Sequence, residues 1–193
     1  MKYHLGVAIP VFLVAQKRWQ TLLAGAATVA ALLAACFPIE GLAWPIRYWS
    51  FLRLPKFWVD HRMPNLRGLA SWVRASDAVE LAAAAALLFL FWRVCRGTRE
   101  IGIAGAATAA CGLVAGHHAY GYDCTLMVPL AVLMLARPGP LWVRGWAALS
   151  LTPVVIWLLV SSQPVWAQAL VVGFVFAAFI VEARRSSVAA AAA

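Results

Sequence analysis

From Trp19 to Phe37 the chain reads "WQTLLAGAATVAALLAACF" without one charged residue. As a helix, roughly 20 apolar residues cross the hydrocarbon core of a bilayer. Backbone entering lipid must satisfy its hydrogen bonds within the segment or within a closed barrel, so an uninterrupted run of this kind has the helix as its solution. Comparable runs recur along the chain. Seven candidate spans follow: His4 to Gln16, Trp19 to Phe37, Asp77 to Cys95, Ile101 to His118, Tyr122 to Ala136, Val143 to Val160, and Val165 to Glu182. The first and fifth are short for a full crossing. With 64% of its 193 residues hydrophobic and only 12% charged, the chain lacks the polar surface of a water-soluble domain. The expected fold is all-α: a polytopic transmembrane helical bundle forming one domain over residues 1–185, with an outer interfacial segment at 38–76. An alanine-rich tail from Ser186 to Ala193 is expected to fray, and no cleavable signal peptide is expected in Met1 to Gln16.

A formal charge of +9 would suggest nucleic acid in a soluble protein. In a membrane chain it reports anchoring by basic turns, and nucleic acid is not expected as a partner. "QKR" at 16–18, "RVCRGTR" at 93–99, Arg137 with Arg144, and "EARR" at 182–185 fall on one side if the spans alternate. That side is expected to be cytoplasmic, in a cell inner membrane. Residues 38–76 and 116–124 then face outward. Cys36, Cys95, Cys111 and Cys124 show no C-x-x-C pair or metal-ligand spacing and are expected to pack as small apolar residues.

Two outer stretches carry chemistry. Between Pro38 and Ser76, arginines that include Arg62, Arg67 and Arg74 are interleaved with Trp44, Tyr48, Trp49, Trp58 and Trp72. Such a pattern lies along the headgroup layer as short amphipathic helices. In "MPNLRGLASWVRAS", Pro64 suits a first helical turn, with Leu66, Leu69, Trp72 and Val73 as an apolar stripe opposite Arg67, Ser71 and Arg74. This belt either binds membrane lipids by charge alone or uses arginine forks on a lipid phosphate. The second stretch, "GHHAYGYDC" at 116–124, sets His117, His118, Tyr120, Tyr122 and Asp123 in a tight turn between two apolar runs. A polar hairpin, a zinc site and a sugar or phosphate pocket all draw on these residue types. The H-x-x-x-H spacing of a helical zinc site is absent. Spacing does not choose between a hairpin and a pocket.

"GHHAYGYDCTLMVPLAVL" resembles the motif of glycosyltransferase family 87, polytopic GT-C enzymes that use polyprenyl-phosphate sugars. There a Ser-Pro-His-x-Tyr-x-Tyr/His-Asp-Leu turn leads into a helix containing proline. His118, Tyr120, Tyr122, Asp123 and Pro129 match, whereas Gly116, His117 and Cys124 depart from it. "KYHLGVAIPVFLVAQKRW" is similar to the family's Lys-Pro-His/Gln-Leu-Gly helix, with Tyr3 in place of the proline, and "MPNLRGL" to an outer-loop segment of some members.

The resemblance implies hexosyl, mannosyl or pentosyl transfer from a polyprenyl-phosphate sugar to a lipid or glycan acceptor, on the non-cytoplasmic side. It implies Lys2, His4, Arg62 and Arg67 around the donor, His118, Tyr120 and Tyr122 hydrogen-bonding sugar or phosphate, and Asn65 as an orienting contact. Asp123 is the local candidate for the catalytic carboxylate, and capping the start of the fifth span is its structural alternative. No resident cofactor is implied, although the chemistry leaves room for a divalent cation. The chain is similar to a C-terminal portion of the family domain, without the acidic first outer loop. An N-terminally truncated form, one part of a split enzyme whose partner supplies the upstream half, or a start assigned too far downstream is therefore expected. The alternative is a non-catalytic membrane subunit or a small lipid transporter, although the broken helices and mid-bilayer charges of transporters are not evident in the sequence.

Overall fold

The computed structural model describes residues 6–52, 63–98, 100–116, 119–152 and 165–191. Its regular elements are α1 (Ala8–Ala15), α2 (Trp19–Glu40), α3 (Trp44–Leu52), α4 (Leu66–Trp72), α5 (Asp77–Gly97), α6 (Ile101–Ala115), a 3-10 helix (Gly121–Met127), α7 (Val128–Ala136), α8 (Leu141–Ser150) and α9 (Val165–Ala191). No strand occurs among the described residues. Three helices are long and apolar enough to cross a membrane: α2, α5 and the Val165–Arg185 part of α9. The chain is thus an all-helical, membrane-associated protein.

The other expected spans differ in detail from the sequence reading, and parts of the first, fourth and sixth lie outside the described residues. The first spans only Ala8–Ala15 as α-helix. The fourth stops at Ala115 because Gly116 is extended, with ψ 137°. The fifth starts as a 3-10 helix and becomes α-helical only at Val128, with Pro129 in its first turn, where a missing N–H costs nothing. The sixth begins at Leu141 and its helix ends at Ser150, and residues 153–164 lie outside the described set. α5 runs on to Gly97, and two other helices also extend past their expected ends. α2 runs past Pro38 to Glu40 and ends at Gly41, which has φ 78°. α9 carries through the expected frayed tail to Ala191, since alanine adds to an existing helix at little entropic cost.

The core is built by α5, α6 and α9, with α1, α7 and α8 around them. α5 has Asp77 and Glu80 in its first turn and Arg96 in its last, the arrangement that complements a helix dipole. Phe91 of α5 and Phe179 of α9 lie 5.9 Å apart in the centre. Ala104, Ala106, Ala107, Ala110, Cys111 and Gly112 are buried along α6. Small side chains of this kind let helices approach closely where lipid supplies no hydrophobic drive between them. α8 and α9 approach as closely at one point, where a Cβ on Gly173 would lie 2.8 Å from the Trp146 ring. Cys95, Cys111 and Cys124 are buried as free thiols in this packing, and Cys36 is half-buried.

Hydrogen bonds and ion pairs define the two ends of the bundle. Gln16 Nε2 donates to the carbonyls of Cys95 and Thr98, which brings the end of α1 to the end of α5. Arg137 pairs with Glu100 and Glu182. The basic turns after α1, α5 and α7 and the Glu182–Arg185 stretch of α9 therefore gather at one end, called inner below. At the opposite, outer end, Asn65 reaches Gly116, and Arg67 reaches Asp77 and Glu80. Segment 63–76 thus shares an end with Gly116 and residues 119–124. With Cys36 replaced by alanine, single cysteines at Ser76 and Tyr122 are expected to react with an impermeant maleimide from the same side of a sealed vesicle, and one at Gly97 only after lysis. Labelling of Ser76 and Tyr122 from opposite sides would contradict the shared end.

Candidate functional site at the outer end

Asn65 is the structural centre of the outer end. Its Oδ1 accepts the Gly68 N–H at 2.9 Å, so Asn65 caps α4, and Pro64 precedes the cap instead of opening the helix. The preference of asparagine for the N-cap outweighs that of proline for the first turn here, because the cap satisfies a donor that would otherwise be orphaned. The expected amphipathic helix also ends early. α4 stops at Trp72, and Arg74 adopts a left-handed conformation with φ 51°, so Arg74 does not share a helical face with Arg67. Leu66 is buried and Leu69 partly so, while Trp72 and Val73 are exposed. The second half of the Asn65 amide matters as much. Nδ2 donates to the Gly116 carbonyl at 2.6 Å, across 51 residues of sequence and fully buried.

Gly116 closes α6 and opens the turn that carries the tyrosines and Asp123. The Tyr120 N–H donates to Asp123 Oδ2 at 2.8 Å, and the Asp123 N–H returns to the Tyr120 carbonyl at 2.8 Å. These reciprocal bonds fasten the start of the 3-10 helix, so the capping alternative read from the sequence is realised. They leave the Asp123 side chain largely buried. The Tyr120 and Tyr122 rings stack at 5.5 Å with a 14° interplanar angle, both well exposed. Stacked aromatic faces beside a polar turn suit the C–H face of a sugar or the headgroup layer equally.

Arg67 lines an open cleft of about 560 Å³ together with Asp77, Glu80, Leu81, Ala84 and Ala115. Arg67 Nη1 lies 2.9 Å from Glu80 Oε2 and 3.3 Å from Asp77 Oδ1. The Asp77 side chain is 97% exposed, and its pairing contributes little. The Glu80 side chain is 19% exposed, so that pair holds the guanidinium more firmly. One cation against two anions leaves this part of the cleft net negative. A phosphate gripped by Arg67 would share the guanidinium with Glu80 and Asp77, both of which engage Nη1.

Lys2, His4, Arg62 and His118 lie outside the described residues. Of the candidates within them, Asn65 joins the 63–69 stretch to the start of the 116–124 turn, and Arg67 lies in the cleft beside Ala115 at the end of α6. Sequence reasoning missed the long-range bond from Asn65, although Asn65 with Gly68 three residues later is a readable cap signal. It missed the inner-end network as well. Among the described residues no group of three or more His, Cys, Asp or Glu side chains is placed to hold a metal ion. Comparison with family models, curated proteins and solved structures finds no match to this chain.

Proposed function

We propose that the chain serves membrane glycosyl transfer of the GT-C kind, through a seven-span bundle in a cell inner membrane whose outer end faces away from the cytoplasm. The donor is a polyprenyl-phosphate sugar, and the acceptor a lipid or glycan hydroxyl. The observation that supports this reading best is the buried Asn65–Gly116 hydrogen bond. It ties together two stretches that separately resemble family 87 motifs, at the end where the stacked tyrosines and the Arg67 cleft also lie.

In such a transfer the acceptor oxygen bonds to the anomeric carbon, the bond from that carbon to the phosphate oxygen breaks, and the phosphate leaves with the electron pair. The acceptor proton passes to a carboxylate, the role assigned to Asp123, while cations stabilise the leaving phosphate. Tyr120 and Tyr122 offer hydroxyls and ring faces to the sugar.

Asp123→Asn separates this role from the cap. An asparagine oxygen still accepts the Tyr120 N–H, so folding is expected to change by less than about 1 kcal/mol, whereas Asp123→Ala loses the bond outright. If Asp123 is the base, transfer from radiolabelled polyprenyl-phosphate mannose, by the chain in liposomes alone or with an acidic-loop partner, falls about 100-fold or more in Asp123→Asn. Transfer at the wild-type rate by a well-folded Asp123→Asn would leave Asp123 only as a cap. A second reading, a non-catalytic membrane subunit or lipid transporter, is favoured by the neutralisation of Arg67 by Glu80 and Asp77. It predicts no transfer in either arrangement.

A further inference from the structure

α2 crosses 22 residues with high apolarity and buries none of them. It turns back along α1 through the basic turn at 16–18, and the two helices enclose an open apolar crevice of about 480 Å³. Ile9 and Leu13 line it from α1, and Leu22, Gly25, Ala26 and Val29 from α2. Of its lining residues, Leu13 and Leu22 are the nearest to the turn in sequence.

The turn itself is tightly made. Lys17 takes φ 55°, the Lys17 N–H donates to the Val14 carbonyl at 3.0 Å, and the Arg18 N–H to the Leu13 carbonyl at 2.8 Å. This geometry leaves the Lys17 and Arg18 side chains exposed beside Trp19, itself 53% exposed. Elsewhere the buried or half-buried arginines are balanced: Arg67 by Glu80, and Arg137 and Arg185 by Glu182. Lys17 and Arg18 have no ion-pair partner among the described residues. Glu100 lines a small cavity with Arg18 but is paired with Arg137 at 3.2 Å. The turn that joins the two crevice helices carries two exposed cations without an ion-pair partner among the described residues, and a tryptophan follows it; with the apolar crevice beside them, these match the anionic headgroup, the interfacial region and the chain of a lipid.

The geometry points to the α1–α2 crevice as a binding site for an anionic phospholipid of the inner leaflet, with an acyl chain between the helices and the phosphate at Lys17 and Arg18. This site lies at the opposite end from the proposed sugar chemistry and does not depend on it.

Native mass spectrometry of the full-length detergent-solubilised chain, titrated with phosphatidylglycerol and with phosphatidylcholine of the same acyl chains, tests the inference. Two variants dissect it. Lys17→Asn with Arg18→Gln removes both charges, and asparagine tolerates the left-handed backbone at 17. Gly25→Leu fills the crevice without a clash, since nothing lies within 4 Å of a Cβ placed there. The wild type is expected to retain phosphatidylglycerol over phosphatidylcholine. The charge variant should bind it roughly thirtyfold more weakly, and Gly25→Leu should weaken it as well with both charges in place. Arg93→Gln with Arg96→Gln, basic residues of the same end outside the crevice, should leave binding unchanged.

Unchanged binding in either crevice variant would overturn the site, as would an equal loss in the Arg93 and Arg96 variant, which would signal charge attraction alone. A monomer–dimer shift in Gly25→Leu would overturn it in favour of a second copy as the occupant.

Discussion

Asn65→Asp is expected to destabilise the protein by about 2–4 kcal/mol, although aspartate caps helices as well as asparagine does. The reason is the second half of the side chain. The Oδ1 bond to the Gly68 N–H survives the change, but the Nδ2 donor to the Gly116 carbonyl, 2.6 Å away and buried, becomes a carboxylate oxygen. Two acceptors then face each other at hydrogen-bond distance, and the Gly116 carbonyl loses the donor that the Asn65 side chain supplied. Asn65→Ser, which keeps a cap and lacks the long-range donor, should fall between Asp and wild type. Reversible unfolding in mixed detergent micelles with increasing dodecyl sulfate measures the series. If Asp and wild type unfold together, Asn65 serves only its own helix, and the bond to Gly116 carries neither stability nor the argument for a joined site.

The same residue marks how far the sequence could be read. Helical class and membrane association were legible because a charge-free run such as Trp19–Phe37 has few alternatives in lipid. Helix ends were less so. Gly116 and Gly41 end helices through backbone conformations that composition does not report, and α9 runs on to Ala191 because nothing in an alanine tail opposes an established helix. The capping alternative for Asp123 was readable from its place three residues after Tyr120, as in a capping box. The pairing of Arg67 with Glu80 was only half legible. Arg67 was evident as an outer charge, but a contact with Glu80 across 13 residues and two helices depends on how α4 lies against α5. Periodicity along one helix carries no information about that angle. The Asn65–Gly116 bond is of the same kind, set by packing between elements far apart in sequence.

The inner end holds a network of ion pairs around one buried carboxylate, and Glu182→Gln is expected to cost about 2–3 kcal/mol there. The Glu182 side chain is 5% exposed. Its Oε1 accepts from Arg185, and its Oε2 lies 3.6 Å from Arg137 Nη1. Arg137 in turn reaches Glu100 at 3.2 Å, and Arg185 donates to the Pro138 carbonyl. One carboxylate on α9 therefore fastens the α7–α8 turn and, through Arg137, the start of α6. Removing its charge while keeping its shape leaves two guanidinium groups near each other, with Glu100 the remaining carboxylate among the ion pairs of the described residues. Breaking a fully buried pair costs about 3–5 kcal/mol. The arginines here are 28% and 29% exposed, so water screens part of the loss and the lower figure applies. Arg185→Gln should cost less than Glu182→Gln, because Glu182 keeps Arg137. In a double-mutant cycle the combined variant should cost less than the two single costs added, since each single change already removes the shared contact. The same micelle unfolding measures all three. Glu182→Gln within about 0.5 kcal/mol of wild type would mean that the network is a crowd of charges already satisfied by solvent. The inner end of the bundle would then be held by helix packing and the Gln16 bonds to the end of α5.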